Sequence, residues 1–285
     1  MKSAAISDST SDKRDTGWRL FLRTIVARAY PRVIGQQREK AWLFFETFLP
    51  FIATVSYVYV YRAIDAPRDY IGFVVLGGAM TAFWINVMWN MRAQLYWEKD
   101  NGNLPLYIMA PNSLMAILLG MALGGMVATT LRAIVIVGMS TLLFHVPFAV
   151  SSILDLCGIF LLSMAALYGL GMMLASVFLL YGRNAFQIVS ALQEPVYFIS
   201  GFYFPVRSFG FTLALFVSAI PLTLGLDAMR QLMFASGPTL GLLSVRKEMG
   251  VLALLTLVFI AAAKLWLNHM ERRAIQEGTL TDRRR

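Results

Sequence analysis

The stretch LMAILLGMALGGMVATTLRAIVIVGMSTLLF, Leu114–Phe144, contains a single charged side chain, Arg132, in 31 residues. An α-helix needs about 20 apolar residues to cross the roughly 30 Å hydrocarbon core of a bilayer. Five further stretches have the same character: Trp42–Tyr61, Tyr70–Asn90, Val150–Tyr181, Ala185–Phe204 and Met249–Asn268. The sequence therefore predicts an all-α integral membrane protein with six transmembrane helices.

A seventh apolar piece, Phe211–Leu226, is short and is interrupted by Pro221. Six spans with both termini in the cytoplasm place 18 of the 25 Lys and Arg residues inside and 6 outside, as the positive-inside rule requires. A full crossing by the seventh piece would move the basic C-terminal end outside. We therefore expect a re-entrant or surface-lying helical segment between the fifth and sixth spans.

Composition agrees with a membrane location. Hydrophobic residues make up 58% of the chain and charged residues 14%, against about 25% charged in soluble domains. The net charge of +9 lies beside the apolar spans, which favours contact with an anionic membrane surface over nucleic acid. Cys157 is the only cysteine, and His145 and His269 are far apart, so we expect neither a disulfide nor a metal site.

The polar ends surround the membrane region. We predict a disordered cytoplasmic tail over residues 1–16, an interfacial amphipathic helix over 17–40, the six-span domain over 41–270 and a basic cytoplasmic tail over 271–285. The apolar face predicted for the interfacial helix comprises Trp18, Phe21, Leu22, Ile25, Val26 and Ala29. The pattern Gly120-x-x-x-Gly124 permits close helix approach, but it is short, and we assign it no contact.

The connector after the second span reads YWEKDNGNLPLYIMAPNSL, Tyr96–Leu114. By the topology above it is cytoplasmic. A short amphipathic element there would offer Leu104, Tyr107 and Ile108 to a partner. The alternative is an ordinary loop that rests on the membrane.

Charges inside a bilayer are unfavourable, and each is a candidate functional residue. Glu46, Arg132 and Glu194 lie within predicted spans, and Glu194 directly precedes the helix-loosening Pro195. Glu194 could face the pathway and contact cargo. It could equally pair with an arginine such as Arg132 as a structural tie.

Aromatic residues are dense at the end of the fifth span and beyond it. They are Tyr197, Phe198, Phe202, Tyr203, Phe204, Phe209 and Phe211. One interpretation is an outer gate built from Gly201, Phe202, Phe204, Pro205 and Pro221. The other is an aromatic belt at the outer interface, which membrane proteins generally have.

Two motifs carry a resemblance to a known family. Glu98, Gly102, Leu104 and Pro111 resemble an E…G-T-L-…-P connector, with Asn103 in place of Thr and Pro105 as a further departure. The stretches SGFYFPV (Ser200–Val206) and IPLTLGLDAMR (Ile220–Arg230) are similar to SG-x-x-F-P and N-P-x-x-x-x-x-D-x-x-R, with Ile220 in place of Asn. On these motifs the chain resembles the membrane subunit of ABC transporters of the ABC-2 type.

The resemblance implies a complex of two such permease subunits, identical or paralogous, with two ATP-binding subunits that hold ATP and Mg. The coupling contact to the ATPase would involve Glu98, Gly102, Leu104, Tyr107 and Pro111, and Arg183 in the Tyr181–Asn184 turn would make a smaller one. No lysine follows a glycine, so the phosphate-binding P-loop is absent. We therefore expect a non-catalytic subunit with no cofactor of its own.

The expected function is export of amphipathic or hydrophobic cargo, drug-like or lipid-like, across a bacterial inner membrane. A polysaccharide or glycolipid exporter is the alternative within the family. An ion-coupled secondary transporter would be expected to show internal repeats with broken helices in both halves, and only the second half is visibly broken. A membrane-embedded enzyme would need a denser polar cluster than the connectors offer.

Overall fold

The computed structural model describes residues 17–110, 113–146, 148–234, 239 and 241–276, which form helices and turns. The predicted tail over 1–16, the last nine residues and Pro111 lie outside the described residues. The helices are α1 Trp18–Arg38, α2 Lys40–Ala63, α3 Asp69–Ile85, a π-helix Asn86–Met91, α4 Gln94–Asp100, α5 Leu104–Met109, α6 Leu114–Phe144, α7 Ile153–Ile199, a 3₁₀ turn Val206–Phe209, α8 Phe211–Val217, α9 Pro221–Met233 and α10 Val245–Gln276.

Five helical stretches in the described part are long and apolar enough to cross a membrane. They are Lys40–Ala63, Asp69–Asp100, Leu114–Phe144, Ile153–Leu179 and Val245–Met270. α8 and α9 meet at 115°, which fits either a broken sixth span or the predicted re-entrant pair. The chain is thus a multi-pass, all-helical membrane protein, as predicted. The predicted break at Pro221 is confirmed, because Pro221 is the first residue of α9.

The predicted fourth and fifth spans belong to one helical element, α7. Helical hydrogen bonding is not interrupted at the predicted Tyr181–Asn184 turn, but the chain still reverses direction. Two contacts with α9 show this. Ser163 lies against Gly225, and Arg230, five residues after Gly225, donates to the Gly201 carbonyl. A straight helix would hold residues 163 and 201 about 57 Å apart, much further than these contacts allow. α7 must therefore turn back on itself between them.

α3 forms the centre of the bundle. Every residue from Gly72 to Trp84 is buried, among α2, α6 and α9. The outer helices α2 and α10 instead present large apolar side chains at the surface: Trp42, Phe45, Leu49, Ile52, Leu254, Leu257, Val258 and Leu265. Such faces are stable against lipid or a second membrane subunit and would be unfavourable in water.

α1 is helical over the predicted range, and one side of it packs on α6. A Cβ at Gly120 would meet Ile25 and Arg28, and one at Gly124 would meet Ala29 and Arg32. α1 can approach α6 closely because neither glycine has a side chain. The Gly120-x-x-x-Gly124 pattern, to which we assigned no contact from sequence, is therefore the contact with α1. The predicted apolar face is divided: Ile25 and Ala29 face α6, whereas Trp18, Leu22 and Val26 are exposed.

Candidate functional site

The carboxylate of Glu98 organises the connector between α4 and α5. Its Oε2 accepts hydrogen bonds from Asn103 Nδ2 at 2.8 Å and from the Tyr107 hydroxyl at 2.9 Å. Its Oε1 accepts a longer bond from Gln94 Nε2 at 3.4 Å. Because these donors come from both helices and from the turn between them, one side chain holds the two short helices in a defined arrangement.

Gly102 makes the turn between them. It has a left-handed φ of 78°, a conformation that glycine adopts without steric strain. The Asn103 N–H bonds to the Glu98 carbonyl at 2.8 Å and the Gly102 N–H to the Lys99 carbonyl at 3.0 Å. This is the Schellman pattern that ends helices at a glycine. Glu98 therefore stabilises the turn through both its side chain and its backbone.

The surface of the connector differs from the prediction. Leu104 is only 2% exposed, so its side chain packs inside the chain and is not offered to a partner. Leu106 and Met109, three residues apart on α5, are 65% and 82% exposed. The most exposed apolar side chains of α5 are therefore Leu106 and Met109, because the face of α5 that carries Leu104 is turned inward.

α1 reaches this connector through Arg28. The guanidinium carbon of Arg28 lies 4.1 Å from the centre of the Tyr107 ring, within cation–π distance. Burial and the bond to Glu98 raise the pKa of Tyr107, so the phenol keeps its proton and continues to donate to the carboxylate. The sequence pattern does not indicate this link, since four other helical elements separate α1 from α5.

A second polar cluster lies inside the bundle, where α2, α6 and the π-helix meet. Arg132 forms an ion pair with Glu46, and both side chains are less than a tenth exposed. Arg132 also donates to Thr129 Oγ1 at 2.9 Å, and Asn90 Nδ2 donates to Glu46 Oε1 at 2.9 Å. The partner of Arg132 is thus Glu46, whereas the sequence interpretation had suggested Glu194. The side chains of Glu194 and Arg183 lie outside the described residues.

The π-helix supplies the amide groups of this region. Asn86 and Asn90 both project into the interior, and the Tyr168 hydroxyl on α7 donates to Asn86 Oδ1 at 3.0 Å. A Cβ at Gly125 would stand 2.9 Å from the same Oδ1, so α6 can approach only because it has glycine there. Sequence reasoning missed Asn86, Asn90 and Tyr168. The available signal was two amides four residues apart in an apolar span.

The opposite end of the bundle is organised by Arg230 on α9. Its guanidinium donates to the carbonyls of Gly201, Phe202 (2.7 Å) and Phe73 (2.8 Å). Its carbon also lies 3.3 Å from the centre of the Phe73 ring. Arg230 is 3% exposed. One buried side chain therefore joins α9, α3 and the turn after α7.

The proposed gate residues occupy different environments at this end. Gly201 ends α7 with a φ of 79°, and Phe202 is fully buried behind it. Phe204 is half-buried and packs on Tyr57 and Phe198. Pro205 and Pro221 are both buried. Four of the five proposed gate residues therefore lie together in the turn after α7. The fifth, Pro221, begins the neighbouring α9.

Asp227, one turn before Arg230, anchors the chain that leads into α10. Its Oδ2 accepts the Leu242 N–H at 2.6 Å and Gln231 Nε2 at 3.3 Å. Gln231 Nε2 also lies 3.2 Å from Glu248 Oε2. Asp227 and Arg230 both belong to the stretch that carried the resemblance, yet the sequence interpretation assigned neither a role. Both serve to hold the backbone of this end in place.

Substituting Arg230 by lysine tests this arrangement. Lysine keeps the charge but lacks the planar fork that reaches three carbonyls, so at least one buried carbonyl loses its partner. We expect destabilisation by about 1–2 kcal/mol, measured as a lower thermal midpoint in detergent. Arg246→Lys, at an exposed position, is the matched control and should change little. Equal midpoints for both variants would contradict the anchoring role.

Comparison with known proteins agrees with the sequence motifs. The family described as ABC-2 type transporter matches residues 22–234. The matched region runs from α1 through α9 and includes the connector, the intramembrane ion pair and the Arg230 anchor. The comparison with curated proteins found no match.

Proposed function

The chain belongs to the ABC-2 type transporter family, and on that basis we propose that it is the permease subunit of an ATP-driven exporter. It would form the membrane pathway together with a second permease subunit, identical or paralogous. ATP hydrolysis would take place on separate ATP-binding subunits, two per complex, which would hold ATP and Mg. The protein would lie in a bacterial inner membrane. Both ends of the chain and the α4–α5 connector would face the cytoplasm.

The observation that carries this proposal is the construction of the connector. Glu98 and the Gly102 turn hold α4 and α5 rigidly together, and the buried Leu104 attaches α5 to the bundle. Leu106 and Met109 are left exposed on the outer side. A rigid, attached element with an apolar tip is suited to sit in a groove of a motor subunit and transmit its movement. Pro111 and Arg183 remain proposed neighbours of this contact.

The proposed cargo is amphipathic or hydrophobic. A cleft of about 620 Å³ lies between α3, α6, α7 and α9. Its wall is almost entirely apolar and includes Met80, Phe83, Ile134, Phe160 and Met229. A cleft of this volume and lining suits an apolar chain or ring system, which supports drug-like or lipid-like cargo over a glycan. In this proposal Phe204 and its neighbours form the outer gate, and Glu194 remains a candidate for cargo contact.

The test is purification of the tagged chain in mild detergent, followed by mass spectrometry and an ATPase assay. We expect a co-purifying nucleotide-binding subunit with ATP hydrolysis. The variant Leu106→Ser/Met109→Ser should lose most of that subunit, because the apolar tip is gone while the Glu98 network is intact. Asn101→Ser, at an exposed position in the same connector, is the control. A stable complex without ATPase activity would overturn the proposal.

A further inference from the structure

A second cavity lies at the end of the bundle opposite the connector, between the α2–α3 turn and the end of α6. It has a volume of about 460 Å³. Its lining includes Arg62, Arg68, His145 and one carboxylate, Asp65. In the proposed orientation this end is the outer face of the membrane, where Lys and Arg are scarce by the positive-inside rule. Two of the six basic residues assigned to that side line this one cavity.

The local electrostatics favour an anion here. Arg68 immediately precedes α3, where the helix dipole is positive and a cation is unfavourable. Arg62, at the end of α2, adds a second positive charge to the same wall. Asp65 is the only carboxylate among the lining residues. Asp69, in the first turn of α3, offsets part of the charge at the helix end. The charged lining residues Arg62, Arg68 and Asp65 still leave the cavity net positive, and a bound anion would neutralise that charge.

The guanidinium group of Arg62 is held in place while its donors stay available. Arg62 lies over the Phe144 ring at 5.0 Å and the Tyr59 ring at 6.0 Å. Such stacking orients the planar group through its face and leaves the N–H donors at its edge free for a bidentate contact. Among the described residues, no hydrogen bond or ion pair engages the guanidinium group of Arg62 or of Arg68.

The surroundings place the cavity at headgroup depth. Tyr61 and Tyr70, each next in sequence to a lining residue, stack on each other at 5.4 Å, and tyrosines are enriched near the boundary between headgroups and hydrocarbon. Exposed apolar residues continue from its rim down the sides of α2 and α6: Val60, Ile64, Leu142 and Leu143. An anion bound here would thus lie directly above a surface that suits acyl chains.

We propose that this cavity binds the phosphate headgroup of an anionic phospholipid of the outer leaflet, with the acyl chains along α2 and α6. Arg62 and Arg68 would donate to the phosphate oxygens, and His145 would donate an N–H at the rim. The assignment to the outer leaflet rests on the proposed orientation. The binding itself depends on neither ATP hydrolysis nor cargo, so it is testable even if the exporter proposal fails.

The test uses the purified full chain in detergent, with binding followed by native mass spectrometry. The probes are dioctanoyl phosphatidylglycerol, dioctanoyl phosphatidylcholine and inorganic phosphate. We expect preference for phosphatidylglycerol and a loss of about tenfold or more in its affinity in Arg62→Gln/Arg68→Gln, since charge-assisted hydrogen bonds are among the strong ones. Arg246→Gln, with the same charge change at an exposed site near the start of α10, should retain the wild-type affinity.

A variant expected to bind more tightly guards against loss by misfolding. Asp65→Asn removes the one carboxylate of the lining and should increase phosphatidylglycerol affinity about threefold or more. Equal affinity for both lipids, or unchanged binding in the double arginine variant, would overturn the proposal. Inorganic phosphate that binds as tightly as phosphatidylglycerol, with the same loss in the double variant, would overturn the lipid assignment in favour of a soluble anion.

Discussion

Replacing Glu46 by leucine is expected to destabilise the protein by about 3–5 kcal/mol, because it leaves the charge of Arg132 buried without its counterion. Arg132 is 4% exposed, and its remaining acceptor, Thr129 Oγ1, is neutral. Asn90 would also lose the carboxylate to which it donates. The measurement is the free energy of unfolding in detergent micelles, together with the yield of monodisperse protein.

The double variant Glu46→Leu/Arg132→Met tests whether the loss of stability comes from an unpaired buried charge. Removing both charges replaces a buried ion pair by apolar groups of similar size, which is often neutral or even stabilising. We therefore expect the double variant to recover most of the stability lost in Glu46→Leu. Asp155→Leu, an exposed carboxylate near the start of α7, is the control. Additive losses in the double variant would show that the two side chains do not act as a pair.

Replacing Glu98 by glutamine is expected to uncouple ATP hydrolysis from transport. Asn103 and Tyr107 both donate to Oε2 and Gln94 donates to Oε1. An amide would put a donor against Gln94 Nε2 and would weaken the bonds to the other oxygen, which are no longer charge-assisted, so the arrangement of α4 and α5 would loosen. We expect the ATP-binding subunit to remain bound and ATPase activity to persist. Transport per ATP hydrolysed should fall severalfold.

Gly102→Ala tests the same connector through its backbone. An alanine at φ 78° is strained by roughly 1 kcal/mol or more, so the turn should shift and coupling should again decrease. Asn101→Ala, one residue earlier in an ordinary helical conformation, should couple normally. Normal coupling in both Glu98→Gln and Gly102→Ala would contradict the role of the connector. Loss of the bound ATPase in these variants would show that the connector serves to bind the ATPase and not to transmit its movement.

Sequence reasoning performed well where the determining physics is local. The apolar stretches predicted the membrane helices, since hydrophobic length alone decides whether a segment can span. Pro221 predicted the break before α9, because proline cannot continue a helix from the preceding residue. The prediction was less accurate for α7, where a turn within a continuous apolar stretch did not end the helix.

The candidate sites were predictable only in part. Glu98, Gly102 and Tyr107 lie close enough in sequence for one turn to bring them together. Glu46 instead pairs with Arg132, which is 86 positions away on another helix. Helical periodicity within one segment cannot predict such a contact. Leu104 was wrongly expected at the surface. α5 has only six residues, and which face of so short a helix is buried depends on the bundle it packs against.

Local sequence alone predicted that this chain crosses a membrane repeatedly and which segments carry its charges. These properties follow from the transfer of each segment from water to hydrocarbon, which depends on local composition. The packing of the bundle, in contrast, pairs Arg132 with Glu46, lets Arg230 close the opposite end, and brings α1 against Gly120 and Gly124. Those choices depend on how each helix is rotated against its neighbours, because a buried charge or an unpaired carbonyl must find its partner across the bundle and not along the chain.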